Sequence, residues 1–108
     1  MQTLQTDLVE ATAALAATEC RSLGLRIDSS DPEYLIWVLL NAPQSGFHLE
    51  TIYTTPDLEP LLDRDFKPCA IVCTICGERT RLNGLDLAQV SGRARLYVGE
   101  AFTWDEDG

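Results

Sequence analysis

Tyr34-Leu35-Ile36-Trp37-Val38-Leu39-Leu40 carries seven apolar residues without a break. Two readings compete for it. Asp31 as a cap with Pro32 in the first turn argues for a helix. Against that, the run is short, uninterrupted and rich in Tyr, Ile, Trp and Val, which argues for a buried central strand. We read it as a strand. Either way the run is core, so truncating Ile36 or Val38 to Ala is expected to destabilise the fold.

The flanking sequence sets the expected order. Upstream, residues 7–23 read as one long helix. Asp7 can cap it, Glu10 follows three residues later as in a capping box, and Gly24 supplies the stop. Val9, Ala13, Ala16, Cys20 and Leu23 fall at helical spacing. Residues 25–28 read as a short strand before the Asp28-Ser29-Ser30-Asp31-Pro32 turn. Downstream, residues 41–46 have loop composition, and residues 47–54 alternate as a strand. Thr55-Pro56 opens a short helix over 57–64 with Leu58, Leu61 and Leu62 inside. Residues 69–76 and 78–83 read as a hairpin about Gly77, and Asn83-Gly84 is a further turn signal. Residues 85–90 read as a helical turn and 94–104 as a closing strand.

The expected fold is therefore α+β: a long N-terminal helix packed on a mostly antiparallel sheet, with a short helix between its two halves. At 108 residues the chain makes a single domain, with 105–108 a frayed acidic tail. The order helix, three strands, helix, three strands is similar to that of type III secretion chaperones, which implies a small acidic protein that holds a protein partner. A homodimer is compatible with that.

Chemistry concentrates in Cys69-Ala70-Ile71-Val72-Cys73-Thr74-Ile75-Cys76-Gly77, which holds three of the four cysteines. Cys73 and Cys76 form a C-x-x-C followed by glycine, the shape of a zinc knuckle. Cys69 supplies a third thiol and His48, the one histidine, a candidate fourth ligand, so Cys69, Cys73, Cys76 and His48 are the candidate metal set. Cys20 is expected to pack on the helix. The spacing C-x3-C-x2-C also resembles the iron–sulfur motif of radical S-adenosylmethionine enzymes, but 108 residues are too few for their barrel. Buried core thiols, a structural zinc, and iron–sulfur or redox chemistry are the three readings of this stretch. The cofactor expectation is none, or zinc.

The net charge is −9 with a pI near 4.3, which argues against general nucleic-acid binding because phosphate is repelled. Residues 1–63 carry ten acids and two bases. Asp57, Glu59, Asp63 and Asp65 are the candidate contacts for a basic protein partner. Arg79, Arg81, Arg93 and Arg95 could form a small basic patch if their strands pair. No apolar run approaches the about 20 residues that span a bilayer, and the N-terminus has no basic leader, so a cytoplasmic setting with reduced thiols is expected. No phosphate loop or nucleophile motif is present. The expected function is that of a non-enzymatic adaptor or regulator of inhibitor, immunity or chaperone-like type, with a small zinc protein as the alternative.

Overall fold

The computed structural model describes residues 4–27, 33–40, 46–52 and 66–103. Its elements run α1 (Leu4–Ala16), β1 (Ser22–Arg26), α2 (Glu33–Leu39), β2 (His48–Thr51), β3 (Ala70–Cys73), β4 (Arg81–Leu82), β5 (Leu85–Ser91) and β6 (Ala94–Val98). The six strands form one sheet in the order β2-β1-β3-β6-β5-β4. β1 is parallel to both β2 and β3. The pairs β3–β6, β6–β5 and β5–β4 are antiparallel. The sheet is thus mixed and curls into a half-barrel, which corrects the expectation of a long helix on a mostly antiparallel sheet.

The correction originates in residues 34–40. This run is α2, a helix. Ile36 and Leu40, four residues apart, are buried, while Val38 is 67 % exposed. A strand would have placed 36, 38 and 40 on one face. Propensity pointed to a strand, but packing against α1 decided. The Asp31-Pro32 signal just before Glu33 was the better guide. The consequence is topological. A helix between β1 and β2 makes a β-α-β unit, the kind of connection that brings parallel neighbours together.

α1 is also shorter than expected, and it buries a different face. Leu8, Ala11 and Leu15 are buried, whereas Val9 is 42 % exposed. The leucine stripe at i, i+3 and i+7 removes more apolar area from water than the Val9–Ala13–Ala16 stripe. Thr18 ends the helix without a glycine. Its amide and its hydroxyl both donate to the Leu15 carbonyl, and its Oγ1 accepts from the Cys20 amide at 3.1 Å. Gly24 is not a helix stop. It lies within β1, where a Cβ would meet Ile52 Cδ1 at 2.6 Å and Pro68 Cγ at 3.3 Å. Asp7 sits inside α1 and is buried. Its Oδ2 accepts from the Arg93 amide at 3.1 Å and so ties α1 to the β5–β6 turn.

Further differences lie downstream. β3 pairs with β1 and β6, not with the segment after Gly77. Residues 85–90 are strand, with a bulge between Leu87 and Gln89. β6 ends at Val98. Asn83-Gly84 is a turn as expected, but it closes the β4–β5 hairpin, with φ of 50° and 83°, the doubly positive geometry that favours Asn-Gly. The helix expected over 57–64 lies outside the described residues.

The two faces of the sheet carry separate cores. Leu23, Leu25, Leu49, Ala70, Val72, Ala94 and Leu96 pack with α1 and α2. Ile71, Cys73, Tyr97, Leu82 and Leu85 form the opposite face, joined by Ile52, Leu87, Cys76 and Phe102.

Candidate functional site

β3 is buried at every position, and each of its ends carries a disulfide. Cys20–Cys69 links the approaches to the parallel strands β1 and β3 across 49 residues, with a Cα–Cα distance of 5.8 Å. Cys73–Cys76 closes on itself across three residues at the other end. There are no free cysteines. The thiols expected to stay reduced are all oxidised. Disulfides persist in oxidising compartments, so the expected cytoplasmic setting is corrected to an oxidising, extracellular or secreted one.

These pairings redistribute the candidate metal set. Cys69 is bonded to Cys20, and Cys73 to Cys76. His48 stands on β2, where its Nε2 lies 3.1 Å from Glu50 Oε1 and its ring packs 4.9 Å from that of Phe66. Among the described residues no group of three His, Cys, Asp or Glu side chains is placed to hold a metal ion. Asp57, Glu59, Asp63 and Asp65 lie outside the described residues. Among those residues no helix is long and apolar enough to cross a membrane.

A different constellation forms where β3 ends. In register, Cys73 stands opposite Arg26 on β1 and opposite Arg95 on β6. Partners in register share a sheet face, with Cβ atoms of an antiparallel pair about 4.5–5.5 Å apart. Arg26 is buried, and its guanidinium donates to Asn83 Oδ1 at 3.2 Å. Asn83 Nδ2 in turn donates to the Thr103 carbonyl at 3.0 Å. Tyr97 is fully buried on the same face and donates its hydroxyl to the Arg79 carbonyl at 2.7 Å. Burial pushes the Tyr97 phenol above its usual range, while Arg95, Arg79 and Arg26 pull the other way. Arg26, Arg79 and Arg95 are therefore the cationic residues that act on this phenol.

The four arginines of the expected patch do not act together. Arg79 and Arg95 both act electrostatically on Tyr97. Arg81 pairs across the hairpin with Asp86, their charged atoms 4.0 Å apart and both side chains exposed, a contact of little energetic weight. Arg93 belongs to the turn that meets Asp7. Arg26 takes the vacant place in the cluster. Its position in a short apolar strand was the available signal, since a buried charge needs partners.

No family model matches the chain, and neither does any curated protein or solved structure. The functional reading therefore rests on the residues and their geometry.

Proposed function

We propose that the chain is a small non-enzymatic adaptor or regulator that binds a protein partner presenting a basic surface. Its setting is an oxidising one, and two disulfides tie its scaffold. The observation that carries this reading is where the charge falls. The described residues hold eight acids and seven bases, nearly in balance. The remaining nine acids are accompanied by one base, Arg64. Asp57, Glu59, Asp63 and Asp65 make the densest of these acidic stretches together with Asp105, Glu106 and Asp107. A concentrated negative charge steers cationic surfaces inward and repels nucleic acid. An inhibitor, an immunity protein and a secretion chaperone would all use charge in this way.

Binding kinetics test the proposal. Against a purified basic partner, association should slow as salt rises. Neutralising Asp57, Glu59 and Asp63 together should lower the on-rate more than it raises the off-rate. A partner whose binding is indifferent to salt and to these substitutions would overturn the reading. The zinc alternative gains no support from the geometry, because a thiolate site would need both disulfides reduced.

A further inference from the structure

We propose that the Cys73–Cys76 disulfide is a thiol–disulfide exchange site, at which the chain accepts two electrons from a dithiol or from two monothiols. Three independent observations support it. The first is connectivity. The pair spans three residues, whereas Cys20–Cys69 spans 49. β3 stays pinned without the short bridge, by its ladders to β1 and β6, by the Thr74 amide donating to the Arg26 carbonyl at 3.1 Å, and by Cys20–Cys69. Opening the short pair therefore leaves the sheet in place.

The second observation is asymmetry of access. Cys73 is 0 % exposed, while Cys76 is half-buried in a turn between exposed Ile75 and exposed Gly77. Gly77 has open space around it, with nothing within 4 Å of where a Cβ would stand. An incoming thiolate thus meets Cys76 first. The third is charge. Cys73 sits in register between Arg26 and Arg95. Cationic neighbours stabilise a thiolate, and a stabilised leaving thiolate speeds exchange and favours the reduced state. Among the described residues, the other ionisable groups at this end of the sheet are Arg79 and Tyr97, with Glu78 exposed in the turn.

The step balances as follows. A reductant thiolate attacks Cys76 Sγ and forms a mixed disulfide there. The Cys73–Cys76 bond breaks, and its electron pair leaves on Cys73 Sγ, at a strand position with Arg26 and Arg95 as its cross-strand partners. A second thiolate attacks the reductant sulfur of the mixed disulfide. It releases Cys76 as a thiolate, which takes a proton from solvent. Two thiols are oxidised to one disulfide, and the Cys73–Cys76 bond is reduced by two electrons.

The test equilibrates the full folded chain in glutathione buffers of graded composition and, in parallel, with dithiothreitol. Alkylation and peptide mapping by mass spectrometry then report each disulfide. Cys73–Cys76 should open in glutathione or dithiothreitol while Cys20–Cys69 stays closed and circular dichroism is unchanged. Arg95→Gln should raise the ratio of squared glutathione to glutathione disulfide at half-reduction by about tenfold, the scale of one guanidinium beside an anion. Arg95→Lys should keep part of that effect. With oxidised glutathione, Cys73→Ser should form a mixed disulfide on Cys76 at least about tenfold faster than Cys76→Ser forms one on Cys73, if access follows the exposure of the two thiols. The two bridges opening together, the short bridge opening in neither reagent without denaturant, or an unchanged ratio in folded Arg95→Gln would each overturn the proposal.

Discussion

Tyr97 is a polar residue at the centre of an apolar face, and one hydrogen bond makes that tolerable. Removing its hydroxyl takes away this bond to the Arg79 carbonyl, so Tyr97→Phe should cost about 0.5–1.5 kcal/mol in denaturant melts. The same residue sets an alkaline limit. Its phenol is raised above 10.0 in the folded state. The native chain therefore keeps a proton that the unfolded chain has lost. Its contribution is complete below pH 10.0 and is lost as pH rises through the higher folded value. Tyr97→Phe should lose less stability than the parent across that window, and parallel alkaline losses in the two proteins would contradict the assignment. Gly84 is a second single-residue constraint. Its φ is +83°, and a Cβ there would run into the Ala101 carbonyl. The Thr103 amide, which donates to the Asn83 carbonyl at 2.9 Å, holds that segment against the turn. Gly84→Ala should cost about 1–3 kcal/mol, and a near-neutral melt would show the turn to be loose.

At the scale of elements, α2 is the decisive one, and two substitutions in it should behave oppositely. Ile36 is 0 % exposed and Val38 67 %. Ile36→Ala should cost about 2–5 kcal/mol through lost burial and a residual cavity. Val38→Ala should stay within about 0.5 kcal/mol of the parent. Equal losses at both positions would restore the strand reading. The two bridges of β3 also divide by role. Loop-closure entropy assigns about 4 kcal/mol to a bridge spanning 49 residues and only about 2 kcal/mol to one spanning three. Replacing Cys20 and Cys69 together by Ala should therefore lower the melting temperature well beyond the effect of replacing Cys73 and Cys76. The reverse order would mean that the short bridge carries the sheet.

For the whole molecule, charge and covalent ties act at different ranges. The disulfides and the two cores hold a body whose charges nearly cancel, so its stability should depend weakly on salt. The nine acids and one base of the remaining sequence account for almost all of the net charge of −9. Screening shortens the reach of such charge to about 8 Å at physiological ionic strength. Raising salt should thus slow capture of a basic partner and leave the melting temperature of the chain alone almost unmoved. A large salt effect on the isolated chain's melt would place the acids inside the scaffold's own energetics instead.

What the sequence determined by itself was composition-level and local. The Asn83-Gly84 turn and the strand at His48 follow from residue type and spacing, whereas the run 34–40, expected to be core throughout, buries Ile36 but leaves Val38 67 % exposed. Charge distribution is also a property of sequence alone. Tertiary structure decided the rest. Residues 34–40 satisfy both a strand and a helix pattern locally, and only packing against α1 chose between them. Pairing of four cysteines is a matter of which ends meet in space. Cys20 and Cys69 meet because β1 and β3 lie side by side in parallel, a neighbour relation that spacing along the chain does not carry. The placement of Cys73 between Arg26 and Arg95 has the same origin. Sheet register joins residues 47 and 22 positions apart in the chain, and no local pattern encodes a partner at that distance.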